Sequence, residues 1–236
     1  MQRYFALNEQ LELDVSDIHH ITKVMRMKIG DKINIIYDQT IYLCQINELN
    51  TNNIKFDILS KIENETKSLV KVTIAISLVS EQKWDYILQK STELGVSEII
   101  PLELSRTLVK VDDKKMVNKK DRWLKICKEA AEQSHRLSIP TITNSKNIKN
   151  LLKGEYDLKI VCSTGINVLN IKQILQKNKS CGKILVVVGP EGGITDSEET
   201  ILEENNFVKG SLGDLILRVE TAPLFILSAI NYEWMR

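Results

Sequence analysis

The sequence predicts an α/β protein with a mostly parallel sheet flanked by helices, preceded by a small β-rich domain. Three observations predict it. From residue 72 onward, strand-like runs alternate with helix-periodic segments, the pattern of a sheet wound with crossover helices. Ile184–Val188 is an unbroken β-branched and aliphatic run, as expected of a strand buried on both faces. Ahead of residue 68, short strands surround a single short helix. With 236 residues, 43% hydrophobic and 27% charged, the chain can fill one large domain or two modest ones, and disorder is not expected.

In the first part, Ser16 caps a helix over Asp17–Arg26 that sets Ile18, Ile21 and Met25 on one face and is closed by Gly30-Asp31. Lys32–Tyr37 and Ile41–Ile46 are strands around a tight turn at Asp38-Gln39. Ile54, Phe56 and Ile58 alternate with polar neighbours, as in a half-buried strand. Such short strands suggest a small barrel. Residues 62–68 form a polar bridge without periodicity, so the domains are expected at 1–68 and 69–236.

In the second part, Val72–Val79 is a strand, and Glu81–Leu94 is a helix with Trp84, Ile87, Leu88, Ser91 and Leu94 on one stripe and Gly95 as its stop. Val96–Leu104 reads as a strand broken by Pro101. Residues 106–128 are basic. The helix from about Asn118 to His135 buries Trp123, Ile126, Cys127, Ala130 and Ala131 and turns Arg122, Lys125, Glu129, Gln133 and Arg136 outward. Residues 157–162 and 184–188 are strands, with Ile171–Lys177 a helix between them. A last helix runs from about Ala222 to Trp234, with Thr221 as N-cap, Pro223 in the first turn, and Leu224, Leu227, Ile230 and Trp234 as its apolar stripe.

Two loops carry the candidate chemistry. Gly189-Pro190-Glu191-Gly192-Gly193 follows the Ile184–Val188 strand, and Thr195-Asp196-Ser197-Glu198 then opens a helix as a capping box. Parallel sheets bind ligands beyond the carboxyl ends of their strands. The spacing is neither the dinucleotide fingerprint nor a P-loop. Leu212-Gly213-Asp214-Leu215-Ile216-Leu217-Arg218-Val219-Glu220-Thr221-Ala222 is a second glycine loop running into a helix. Two such loops so close in the chain suggest one shared pocket.

The two loops together resemble the SPOUT superfamily of methyltransferases, and within it the family that methylates N3 of a uridine in 16S ribosomal RNA. Met1-Gln2-Arg3-Tyr4-Phe5, His20–Arg26, Glu93-Leu94-Gly95-Val96 and Glu129–Arg136 extend the match in order over nearly the whole chain. The resemblance implies a PUA-like, RNA-binding N-terminal barrel, a trefoil-knotted C-terminal domain, a homodimer, and S-adenosylmethionine as methyl donor. The cofactor is then assigned to Gly189, Pro190, Glu191, Gly192, Gly193, Leu212, Gly213, Leu217, Thr221 and Ala222, with Ser163 and Thr164 added for their position after a strand. Val188, Leu212, Ile216 and Leu217 would border a flat apolar slot for adenine. No metal is needed, because a methyl sulfonium is already activated. The family usually has an arginine at the position of Leu215 and a threonine at that of Val219, so an RNA contact is expected to differ here.

N3 of uridine holds a proton at neutral pH, with a pKa on the order of 9, so a base or an anion-stabilising environment is required. Glu220 is the carboxylate nearest the expected pocket and Arg218 the nearest cation. Either Glu220 takes the proton while Arg218 stabilises the uracil oxygens, or the two form an ion pair that only holds the loop. Glu191 is an alternative base. The target base must be unpaired or extruded. Arg3, Lys23, Arg26 and Lys28 of the first domain, with Arg106, Arg122 and Arg136 of the second, are the candidates for holding 16S rRNA or the small ribosomal subunit.

A net charge of +1 neither demands nor excludes a polyanionic partner. Cys44, Cys127, Cys162 and Cys181 form no CxxC and read as buried thiols of a reducing cytosol. No apolar signal core or membrane-length run is present in the sequence, so a cytoplasmic setting is expected. Other SPOUT chemistries, on ribose 2′-O or guanine, remain open, as does a non-catalytic RNA-binding assembly factor. A Rossmann-type enzyme is disfavoured by the missing GxGxxG and its acidic partner.

Overall fold

A computed structural model describes residues 1–50, 53–63, 70–109, 113–165, 168–179 and 181–234. The chain divides into two units, Met1–Lys67 with Lys128–Ile139, and Ser68–Cys127 with Pro140–Arg236. Residues 128–139 thus join the N-terminal unit although they are far from it in sequence.

The first unit holds a four-stranded sheet in the order β1 (Arg3–Phe5), β2 (Lys32–Tyr37), β3 (Thr40–Leu49), β4 (Ile54–Glu63). β1 lies parallel to β2, and the other pairs are antiparallel. Asp38 and Gln39 both take positive φ, 44° and 60°, the twist that a two-residue hairpin needs. The sheet packs Ile33, Ile35, Cys44 and Ile46 against Leu11, Leu13, Ile18 and Ile21.

The helix expected over Asp17–Arg26 is shorter and differently built. α1 (Val15–His19) is capped by Asp14, whose side chain accepts from Ser16 N, and not by Ser16. The chain then widens into a π turn over His20–Val24, where Met25 N bonds His20 O at 2.9 Å. Arg26 adopts φ +52°, which ends the helix before the expected glycine.

The second unit is built on a parallel sheet. Its main path runs β10 (Leu169–Asn170), β12 (Val208–Ser211), β9 (Leu158–Cys162), β11 (Lys183–Val188), β5 (Lys71–Ser77), β6 (Glu98–Glu103), β7 (Thr141–Ile142), and β8 (Lys146–Asn147) also pairs with β6. Both faces are covered. Ala75, Leu185, Val187, Val161 and Leu102 pack on one side with Leu202 and Phe207, while the alternate residues Ile74, Ile76, Ile184 and Val186 are also buried. That explains the unbroken apolar run at the centre.

Pro101 does not break β6, contrary to the sequence expectation; it pairs with Ile76 of β5. Ile99 O accepts from Thr143 N, beyond β7, so Pro101, of the same parity, turns its donorless nitrogen to that side. There β7 reaches only Ile99, and β8 begins at Leu102. The missing donor falls in the gap between them.

The helices are α2 (Glu81–Glu93), α3 (Asp113–Gln133), α4 (Ile148–Leu151), α5 (Ile171–Lys177), α6 (Asp196–Glu204) and α7 (Ala222–Trp234). α5 and α7 have the expected ends, and α6 opens on the expected Thr195–Glu198 capping box. The stripe of α7 differs: Ala222, Pro223, Ile226, Leu227 and Ile230 are buried, whereas Leu224 and Trp234 are half-buried. In α3, Ile126 is likewise only half-buried. Most of the polar bridge expected at 62–68 lies outside the described residues. Its first two residues, Ile62 and Glu63, close β4.

Candidate active site

In a parallel sheet all strand ends of one sense share an edge. β9, β11, β12, β5 and β6 therefore deliver residues 163–165, 189–195, 212–222, 78–80 and 104–107 to the same side of the sheet. The expected cofactor residues belong to the first three of these segments.

The first glycine loop folds as a turn, with Gly193 N bonding Pro190 O at 2.9 Å. Gly189 has a steric reason: a Cβ there would lie 2.7 Å from Ile194 Cγ1 and 3.3 Å from its backbone nitrogen. The loop is braced from the β6 side. Arg106 Nη1 donates to Gly192 O at 2.7 Å. Glu198, buried in the first turn of α6, accepts from Ser105 N at 2.7 Å and from Thr195 N at 3.0 Å. Burial opposes its charge, but these donors win and hold the carboxyl below its ordinary range.

The second loop is open at its tip. Gly213 takes φ +123°, and a Cβ there would meet nothing within 4 Å. Leu215 and Ile216 are 79% and 84% exposed, so Ile216 is not packed as a slot wall, while Leu212 and Leu217 are half-buried. Val219 is buried, 5% exposed, which suits a valine at this position. Arg218 O accepts from Thr221 N and Ala222 N, at 2.9 and 3.0 Å, and Thr221 O accepts from Phe225 N at 3.0 Å. These bonds lead the loop into α7.

The two loops share a cation that the sequence reading did not single out. Lys83, in the first turn of α2, places Nζ 3.0 Å from Glu191 Oε1 and 3.5 Å from Glu220 Oε2. The second distance is an ion pair at the outer limit of hydrogen bonding and leaves Glu220 Oε2 buried without a hydrogen-bond partner. Partial burial opposes ionisation of Glu191, but the Lys83 hydrogen bond and charge hold its carboxyl below the ordinary range. Arg218 is exposed, and Glu220's ion-pair partner is Lys83. An internal Arg218–Glu220 pair is therefore not what holds this loop. Lys83 carried no local signal, because its partners are more than a hundred residues away.

After β9, Ser163 is buried and already engaged: its Oγ donates to Glu199 Oε1 at 2.9 Å and accepts from Gly165 N at 3.1 Å. Thr164 is exposed. Burial pushes the neighbouring Cys162 thiol up to about 12. Cys44 and Cys127 are buried as expected, whereas Cys162 and Cys181 are partly exposed; none of the four forms a disulfide.

The candidate RNA-holding cations divide in two. Lys23, Arg26 and Lys28 are exposed on the turn after α1, interleaved with exposed Val24, Met25 and Ile29. Others are committed within their own unit. Arg3 Nη1 donates to His135 O at 2.6 Å. Arg122 pairs with Glu81 at 2.9 Å and with Asp85, which ties α3 to α2. Arg106 braces the first glycine loop, and Arg136 is half-buried.

Comparison with known proteins agrees with this geometry. A family model of the RNA methyltransferase domain matches residues 65–231, and one of the RNA methyltransferase PUA domain matches residues 13–59. The ribosomal RNA small subunit methyltransferase E of Bacillus subtilis is 36% identical over 249 residues, which cover 99% of this chain and 97% of that one. A crystal structure of a ribosomal RNA small subunit methyltransferase E from Neisseria gonorrhoeae, bound to S-adenosylmethionine, superposes with TM-score 0.87 at 27% identity, covering 99% and 98% of the two chains. A structure from Legionella pneumophila that also holds S-adenosylmethionine superposes with TM-score 0.90 at 27% identity, covering 98% and 97%. With a methyltransferase domain over most of its length and a PUA-like domain ahead of it, the chain belongs to the ribosomal RNA small subunit methyltransferase E family of RNA methyltransferases.

Proposed function

We propose that this protein transfers the methyl group of S-adenosylmethionine to N3 of a uridine in the 16S RNA of the small ribosomal subunit. The observation that carries the reading is the pairing of both glycine loops, through Glu191 and Glu220, on one lysine at the carboxyl edge of the sheet. The residues fit the cofactor. Gly213 leaves main chain bare toward open space, and Glu220 Oε2 is a buried acceptor without a hydrogen bond. When bound, S-adenosylmethionine supplies an activated methyl group. Gly189 to Gly193, with Leu212, Gly213, Leu217, Thr221 and Ala222, would hold it.

The chain's own task is then the proton. Glu220 would accept the N3 proton that is released as N3 takes up the methyl group. Arg218, exposed two residues earlier, stabilises the negative charge that spreads onto the uracil oxygens. Lys23, Arg26 and Lys28 hold the RNA backbone. Ser163 serves by position: its bonds to Glu199 and Gly165 shape the turn after β9.

The finer architecture belongs to the same reading. The C-terminal segment threads a trefoil knot, the N-terminal sheet closes toward a small barrel, and the protein works as a cytoplasmic homodimer. Exposed Phe225 and Tyr232 on α7, at 43% and 80%, supply apolar surface for a second copy.

The test is methyl transfer from labelled S-adenosylmethionine to small subunits from cells lacking this protein, followed by mass mapping of the modified nucleotide. A single N3-methyluridine in 16S RNA is expected. Label on a ribose 2′-oxygen or a guanine overturns the uridine reading.

A further inference from the structure

Lys83 stands at a place that a surface lysine has no reason to occupy. It lies in the first turn of α2, beside Trp84, which is 1% exposed and packs against Trp123 at 5.3 Å between ring centroids. Trp84 N also bonds Ser80 O at 2.9 Å. The turn that carries the lysine is therefore fixed by buried aromatic packing, and the ammonium has a defined reach.

Its two partners differ in a way that matters for proton transfer. Glu191 is 44% exposed at the side chain and receives the shorter contact, 3.0 Å, as a hydrogen bond. Glu220 is 17% exposed at the side chain and lies at 3.5 Å, with Oε2 buried and not hydrogen-bonded. The lysine thus gives its directed bond to one carboxylate and its field to the other. The contact fixes where the Glu220 carboxyl sits and leaves Oε2 without a directed donor. The hydrogen bond that Lys83 donates to Glu191, against some desolvation, and the charges of Glu191 and Glu220 push the Lys83 ammonium above its ordinary range, so it remains a cation near neutrality.

We infer that Lys83 is a positioning residue for methyl transfer: it holds the Glu220 carboxyl at the cofactor loops and, through Glu191, locks the first glycine loop to the second. This rests on the reading of Glu220 as the proton acceptor. No bond to Lys83 is made or broken during the reaction. The N3 proton goes to Glu220, and Lys83 keeps that carboxyl in place beforehand.

The experiment compares the full-length protein with Lys83→Met, Lys83→Arg and Glu191→Gln. The first readout needs no turnover: S-adenosylmethionine binding by calorimetry. Lys83→Met and Glu191→Gln should both weaken it, since each loses the tie between the loops, and Lys83→Arg should keep it near wild type. The second readout is kinetic. Lys83→Met should lower kcat by about 10–100-fold and change the KM for subunits by less than about threefold. Lys83→Arg should recover most of kcat, and Glu191→Gln should lose less of it than Lys83→Met, since it keeps the contact between Lys83 and Glu220.

Unchanged cofactor affinity and kcat in Lys83→Met overturn the inference. So does an equal loss in Lys83→Arg and Lys83→Met, which would mark a purely structural contact. Wild-type protein that methylates a site other than uridine N3, while Lys83→Met still weakens cofactor binding and Lys83→Arg restores it, removes the proposed substrate, not the tie that Lys83 makes. The two failures are therefore distinguishable.

Discussion

Arg106 Nη1 donates to the main-chain oxygen of Gly192 at 2.7 Å. From sequence, Arg106 is a candidate RNA contact, yet in the fold its guanidinium braces the first glycine loop. The predicted consequence concerns the cofactor. Arg106→Ala removes a charge-assisted bond on an exposed loop, worth about 1 kcal/mol, so the dissociation constant for S-adenosylmethionine should rise about fivefold. Calorimetry checks this. A variant that loses RNA affinity but binds cofactor as before would return Arg106 to the RNA side.

Glu220→Gln tests the proposed base. The amide keeps the size of the side chain but cannot accept the N3 proton. Loss of a general base typically lowers the rate by about 10²–10⁴-fold, and cofactor affinity should change by less than about threefold. The pH profile should lose its acidic limb. Turnover measured across pH with unchanged rate and profile removes Glu220 from proton transfer.

Gly189 is limited by space. Its added Cβ would lie 2.7 Å from Ile194 Cγ1 and 3.3 Å from Ile194 N. Gly189→Ala therefore pushes the turn away from its own continuation, at a cost of about 1–3 kcal/mol. For a chain of this size that lowers the melting temperature by several degrees, and calorimetric cofactor binding should weaken with it. An alanine variant with wild-type melting temperature would show that the loop yields freely.

The parts legible in the sequence are those with local causes. Ile171–Lys177 and Ala222–Trp234 have the expected ends because each carries its own periodicity and stop signals. The Thr195–Glu198 capping box does what its spacing dictates. What escaped the reading depends on neighbours remote in sequence. β7, β8 and β10 are two residues long, too short for any period to register. Pro101 stays in its strand only because β7 and β8 leave a gap beside it. Arg122 reads in the sequence as an RNA-holding cation, but α2 supplies Glu81 and Asp85 to it. Lys83 is the extreme case. Nothing near it in sequence separates it from any other helix-surface lysine, and its position between two loops comes from strand order alone.

Glu132 should make stability fall as pH rises. In the N-terminal unit its carboxyl shares Lys128 with buried Asp17: the lysine bonds Asp17 and lies 3.7 Å from Glu132. Phe5 N also donates to Glu132, at 3.3 Å. Burial first, then the charge of Asp17, push Glu132 up to about 7 from an ordinary 4.5, against Lys128 and the Phe5 N–H; Glu129 adds to the rise. The folded state therefore holds this proton more tightly than the unfolded chain, and stability declines between about pH 4.5 and 7 before levelling. A shift of about 2.5 units sets an upper bound of about 3 kcal/mol, reduced by residual exposure and by coupling to Asp17. Glu132→Gln should flatten that decline and raise the melting temperature at pH 8 by a few degrees, as read by melts across pH. Parallel curves for the two proteins would mean that Lys128 already neutralises Glu132.

Leu215 tests what the departure from the family pattern means. Its side chain is 79% exposed at the tip of the second loop, beside Ile216 at 84%, at the position where the sequence resemblance implies an arginine. An exposed leucine contributes no packing that its replacement would lose, so Leu215→Arg should leave the melting temperature and cofactor affinity unchanged. If the tip lies against RNA, the new cation releases one more counterion on binding. Affinity for small subunits should then rise, and the slope of log affinity against log salt should steepen by about one unit. An unchanged slope with weakened self-association in sedimentation would assign the exposed pair to a second copy of the chain instead. Because cofactor binding, salt slope and oligomeric state are read separately, the variant decides between RNA and protein as the surface that meets this loop.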